Sequence, residues 1–473
     1  MSRPIQSNFN QHFLLPPALT DWISAGDPVW FIKDFVEALD LDALGFSQHK
    51  PSLDGRSYYP NDMLLRVWLY GWMERIRSPR RLEKACMRDI GFVFLTCNHH
   101  PDHNTLWRFF NNNKKPLKSL FKQVVLVACR AKLIGFVLHA LDGTKITAAS
   151  SRAKAWHQKQ LEEQLKQIDA IINEYVLSVE SAAESEESGY AMPETMQNAL
   201  ARKQQIAEAL SALEQAKTQT LHPNEPDARM MKHNNGAIVL SYNAQIVVDE
   251  RSDLIVAAEV SNKANDYGQL VPMVEQVVEN VGQSAAETVA DAGYCSGEQL
   301  EAAERKHLPV LVNLHSNSPE GGEFRKENFA YDADKDVYIC PLGKELRYQR
   351  TKIAGKKKQE ISVRSYRCYE RECPRKAECS SDPKGRTILR MPHNGAIERQ
   401  RKKQQEPMKK QALFKRKAIV EHVFGIIKQI DGLRRFTVRG LDGVMAQWAL
   451  VCTAVNLRKL YAFWAAGALV LRA

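Results

Sequence analysis

The stretch FVLHALDGTK, residues 136–145, decides the fold. An apolar run ends at Asp142, and Gly143 then lets the chain turn; a strand delivers a side chain to the edge of a sheet in this way. ETVADAGY (287–294) repeats the device, with Asp291 at the end of the run and Ala-Gly after it. A third acidic motif, IVEHVFGIIK (419–428), is helical in pattern: Ile419, Val420, Val423, Phe424 and Ile427 recur at helix spacing around Glu421. Lys428 follows Glu421 by seven positions, within ~20° of two full turns, so an unbroken helix puts both on one face about 10 Å apart. If folding gathers the three carboxylates, their repulsion must be relieved by protons or divalent cations. Such a trio beside a lysine suits magnesium-assisted phosphoryl transfer.

The order Asp, Asp, Glu-six-Lys resembles the DDE transposases of bacterial insertion sequences, and most closely the group called IS eleven-eighty-two. The resemblance also rests on YYPNDMLLRVWLYGWMERIRSPRRLEKACMRDIGF (58–92), PDHNTLWRF (101–109), SYNAQIVVD (241–249), EVSNKANDYGQL (259–270) and RRFTVRG (434–440). It implies a mixed α/β chain. A helical N-terminal domain (1–130) would precede a ribonuclease-H-like catalytic domain (131–460), with 461–473 as a C-terminal tail. A helical hairpin (153–225) and a cysteine-rich basic segment (315–390) would interrupt the catalytic domain. In that fold the Asp142 and Asp291 strands are neighbours. The implied catalytic and metal-binding residues are Asp142, Asp291 and Glu421, holding two Mg2+ or Mn2+ ions, with Lys428 clamping a phosphate. The implied partners are double-stranded DNA, both transposon ends and target, and a second copy of the chain to bring two ends together.

Charge agrees with a polyanionic partner. The 473 residues carry a net charge of +11, and nine of the nineteen residues from Arg399 to Lys417 are Lys or Arg. This run is either a solvated helix face or a DNA-backbone contact. The start MSRPIQSNF lacks the apolar core of a secretory signal, and AFWAAGALVL (462–471) is too short to span a bilayer. The expectation is a cytosolic, nucleoid-associated protein with reduced cysteines.

Residues 1–130 read as helical throughout. Ser78-Pro79 opens one helix, a second spans about Ile90–Thr96, and a third starts at Thr105 with its hydroxyl as cap and carries Arg108. The trio resembles a helix-turn-helix that reads DNA ends, or is plain helical packing. The 153–225 hairpin is either a solvated insertion, or a dimer contact or DNA-flanking arm. Cys340, Cys368, Cys373 and Cys379 fall within forty residues, compatible with structural zinc or with free thiols in a basic segment.

One departure from the family pattern stands out. Phe414 and Lys417 occupy the positions where the broader family has Tyr and Arg, and Lys cannot make the forked contact of Arg. Arg416 lies one position away, about 100° around the helix. Lys145, Arg229 and Lys232 are further phosphate-contact candidates. A non-catalytic DNA-binding scaffold, or a nuclease that cuts without joining, would use much of the same sequence.

Overall fold

The computed structural model describes residues 18–46, 58–151, 154–182, 194–314, 322–354 and 361–471. The expectations for the first residues, the hairpin tip at 183–193 and the lysine run at 355–358 lie outside these.

The core is a mixed sheet built around the strand Leu138–Thr147. On one side it pairs antiparallel with Ile238–Asp249, placing Asp142 opposite Ile246. On the other it pairs parallel with Glu287–Ala290, placing Ala140 opposite Val289. Val310–Val312 continues the parallel half, and Ile255–Ser261 pairs antiparallel with Ile238–Asp249. Three antiparallel strands followed by two parallel ones is the order the ribonuclease-H-like reading requires. An unexpected short strand, Arg229–Lys232, pairs with the start of Ile238–Asp249. Its Arg-Met-Met-Lys sequence has no β-branched residue, so pairing with a strong neighbour, not propensity, makes it a strand.

The last helix, Leu441–Ala465, is apolar on nearly every face and is buried accordingly. Trp448 donates its indole N–H to the Gln245 carbonyl at 3.1 Å. Asn456 accepts from the Ile255 N–H at 2.9 Å and donates to the Ile255 carbonyl at 2.8 Å. These bonds satisfy backbone groups that would otherwise be buried unpaired, at a cost of about 1–3 kcal/mol each. The helix runs past 461: Tyr461 packs on Phe31 with ring centroids 5.9 Å apart, which ties this end to the N-terminal region. The supposed tail therefore begins inside a helix.

The described part of the N-terminal region is helical: Pro28–Glu37, Asn61–Met73, Pro79–Arg88, Ile90–Leu95, His103–Asn112 and Lys114–Arg130. The His103–Asn112 helix is capped by Asp102, which accepts from the Thr105 N–H at 2.6 Å; the Thr105 hydroxyl is not the cap. The carboxylate wins because the helix begins three residues earlier than a threonine cap would place it. The hairpin is present as Gln158–Ala182 and Glu194–Gln215, packed through Leu161, Ile206 and Leu213. The cysteine-bearing segment forms a separate five-stranded antiparallel sheet, from Ala330–Asp332 to Thr387–Arg390. Its small core centres on Tyr338, Leu346, Tyr366 and Ile388.

Candidate active site

Strand register brings Asp142 and Asp291 together. The parallel ladder aligns Ala140 with Val289, so Asp142, inside its strand, and Asp291, just past the end of its own, both stand two residues beyond that pair. Asp291 caps a short 3-10 turn and accepts the Gly293 N–H at 2.9 Å. Asp142 is only 20% exposed, and Arg416 Nη1 lies 2.9 Å from its Oδ2. Burial pushes the Asp142 carboxyl up to about 6; Arg416 pulls it down and Asp291 raises it again. Desolvation thus outweighs the arginine.

A third aspartate, unassigned by sequence reasoning, joins them. A Cβ at Gly293 would stand 3.0 Å from Asp291 Oδ1 and 3.2 Å from Asp266 Oδ2, and one at Gly143 would stand 2.7 Å from Asp266 Oδ1. Glycine at both positions leaves room for the carboxylates. Asp266 Oδ1 accepts from Asn243 Nδ2 at 2.8 Å and Gln245 Nε2 at 2.7 Å. Beneath them the buried Tyr294 hydroxyl donates to Gln245 Oε1. Burial, with Asp266, Asp142 and Asp291 around it, holds that hydroxyl in its neutral form, well above its ordinary range. The signal was present in SYNAQIVVD: Asn243 and Gln245 are amides buried in the middle of a strand, and a buried amide needs a polar partner.

Glu421 is not gathered with the aspartates. Its side chain is 63% exposed, and the nearby cation is Lys417 at 3.7 Å. Arg416 and Glu421 are five positions apart, about 140° around a helix. The rotation that lays Arg416 on Asp142 turns Glu421 outward. The shared face expected for Glu421 and Lys428 is also lost, because Ile426–Ile430 winds as a π-helix. Lys428 instead turns inward and donates to Thr144 Oγ1. Burial and the neighbouring Arg434 lower its ammonium's pKa, while Asp142 opposes them.

The remaining candidates scatter. Lys145 donates to the Lys232 carbonyl at 2.9 Å, and with Lys428 it lowers the pKa of His233 after burial has done so. Arg229 is spent on the backbone carbonyls of Pro226 and Ala228. Lys417 and Lys232 are exposed, as is Arg108 on the His103–Asn112 helix.

Paired carboxylates fit a hard divalent cation, which would offset their mutual repulsion. The donor chemistry of Asp142 and Asp291 therefore suits magnesium or manganese. Among the described residues, however, no group of three or more His, Cys, Asp or Glu side chains is arranged to hold a metal ion. Structural zinc at the four cysteines accordingly gains no support. Cys379, its thiol pushed up by burial, lies within electrostatic reach of Cys340, Cys368 and Cys373, yet all four are free and only partly covered.

Comparison with known families gives two matches. A model described as "Transposase domain (DUF772)" covers residues 17–112, and one described as "Transposase DDE domain" covers 339–461. The second takes in the cysteine-bearing sheet, Glu421 and Lys428; Asp142 and Asp291 lie outside it. Neither the curated proteins nor the solved structures yield a match. Among the described residues no helix is long and apolar enough to cross a membrane. Added to the paired aspartates, the two transposase matches support a DDE transposase.

Proposed function

We propose that this chain binds the terminal inverted repeats of an insertion sequence, in the IS eleven-eighty-two group, and cuts and joins DNA there. The observation that carries the reading is the Asp142–Asp291 pair, with Asp142 largely covered, on a sheet in ribonuclease-H order. Asp142 and Asp291 would hold Mg2+ or Mn2+, and Asp266 stands beside them as a further carboxylate. When bound, the ions would supply charge neutralisation at the scissile phosphate and make water or a hydroxyl a stronger nucleophile. Water attacks phosphorus in line, the bond to the 3′ oxygen breaks, and a 3′-hydroxyl and a 5′-phosphate result. That 3′-hydroxyl then attacks a target phosphodiester, releasing a target 3′-hydroxyl.

The chain's own groups position the strand. Lys428, held on Thr144 near Asp142, places a cation against a neighbouring phosphate. Asn243, Gln245 and Tyr294 hold Asp266 in place. Glu421 would complete the trio only if its helix turns, with Arg416 leaving Asp142. Two DNA ends would be bridged by two copies of the chain.

The test is strand transfer. Protein, magnesium and DNA bearing the element's terminal repeats should yield joined product. Asp142→Asn should abolish cleavage while leaving end binding intact. Cleavage without joining would leave a nuclease; a variant that cuts normally would remove Asp142 from the chemistry.

A further inference from the structure

A second site lies where the N-terminal helices meet the RRFTVRG segment. A cavity of about 500 Å³ opens there between the Asn61–Met73 and His103–Asn112 helices and residues 432–438. That is within the range of small-molecule sites. One wall is aromatic: Trp68, Trp107 and Phe110, with Trp107 and Phe110 stacked at 5.9 Å and Trp107 40% exposed. Trp72 lines the same cavity. It is 2% exposed, and its indole N–H is buried without a hydrogen-bond partner among the described residues. A buried donor left unpaired costs about 1–3 kcal/mol, so it marks a place where an acceptor is missing.

The rim is cationic. Arg77, Arg81 and Arg434 line it, the last also hydrogen-bonded to Gln429. Gly432, at φ +64°, leaves the space in which the Arg77 guanidinium rests; a Cβ there would come within 3.3 Å of Arg77 Nη2. Arg435 serves the frame instead, donating to the carbonyls of Ala148 at 2.9 Å and Ala149 at 2.8 Å. The cavity is also joined to the aspartate site. The Asp142 strand ends at Thr147, which bridges to Arg435, and Lys428 lies in the electrostatic fields of both Asp142 and Arg434. Five strand residues span roughly 17 Å, about five phosphates along one strand of B-form DNA.

We propose that this cavity receives one unstacked nucleotide of the DNA strand that passes Asp142. Its base stacks on the Trp107 wall, an acceptor on the base takes the Trp72 N–H, and its phosphate lies between Arg77 and Arg81. Every base has a π-face and edge acceptors, so the site tolerates sequence. The inference rests on the DNA-cleaving reading of the aspartate site, but binding tests it without any cut.

In EDTA, the full chain is titrated into a labelled duplex with a short single-stranded oligothymidine tail, and into the same duplex blunt. The tail should tighten binding. Trp107→Ala should remove about tenfold of the tailed affinity and leave the blunt duplex unchanged. Trp72→Phe, which deletes the N–H and keeps an aromatic ring, should cost a smaller, several-fold part of the same preference at an unchanged melting temperature. A tail that adds nothing, or a Trp107→Ala loss equal on both duplexes, overturns the proposal. Asp142→Asn should keep the full tail preference. A chain that prefers the tail yet never cuts with any divalent ion would retain the pocket and lose the cleavage reading.

Discussion

The sheet-borne aspartates and the helix-borne glutamate and lysine were legible in the same way from sequence, yet they meet different fates. Asp142 and Asp291 lie at matched positions two residues past the register of a parallel ladder, whose hydrogen bonds fix the alignment of the two strands. Glu421 and Lys428 sit on a helix whose turn changes from α to π between them. One ends outward beside Lys417 and the other inward on Thr144. Register fixes a strand's side chains absolutely, whereas a helix can rotate, unwind or bulge and send each residue elsewhere.

After the abolition expected for Asp142→Asn, the largest effect should come from Glu421→Gln. If the helix turns during the reaction and delivers Glu421, cleavage should fall roughly a hundredfold or more, with end binding unchanged. Loss of less than threefold in a gel-based cleavage assay would mean that the outward position is the working one, and that Asp266 completes the carboxylates. Asp266→Asn read in the same gel sharpens that choice.

Next is the pH response of the metal-free protein. The Asp142 carboxyl is raised in the fold to about 6 from an ordinary value near 4. The folded state therefore holds a proton that the unfolded chain has already released. Between about pH 4 and pH 6 this group should lower stability as pH rises, by of order 2–3 kcal/mol. Urea titrations of wild type and Asp142→Asn would isolate it: the slope across that window should be shallower in the variant. An identical slope would mean the aspartate is not desolvated.

The smallest expected effect concerns Arg416, which lies where a cation at Asp142 would compete with it. At pH 8, with Asp142 ionised, Arg416→Met should tighten Mn2+ binding about tenfold, one unit of charge competition at a half-buried site. Weaker binding by calorimetry would show that the arginine assists the metal and does not oppose it.

Much of the catalytic region could be read directly because its signals are local. Runs such as VLHAL and the residues around ETVA carry strand patterning and both became strands, but the first runs on through Gly143 to Thr147, because pairing with Ile238–Asp249 continues where a turn was expected. The cysteine-bearing segment was less open to reading. Its polar, arginine-rich strands gain their core only by pairing, through Tyr331, Tyr338 and Tyr366, which meet tilted or edge-on, with Arg390 3.6 Å from the Tyr331 ring centroid. Asp266 was hidden for another reason. It lies outside any strand or helix, in a stretch whose pattern says only that a turn precedes a helix.

By itself, then, the sequence determined the strands that carry Asp142 and Asp291, the helical N-terminal region, and the basic character of the chain. Those follow from side-chain period, turn chemistry and charge, which neighbours along the chain suffice to define. Tertiary structure alone decided that Asp266 joins the pair, that Arg416 and not Glu421 faces Asp142, and that Trp72 and Arg77 share a cavity with Arg434. Each depends on the rotation of one packed element against another, and burial across the whole core sets that rotation.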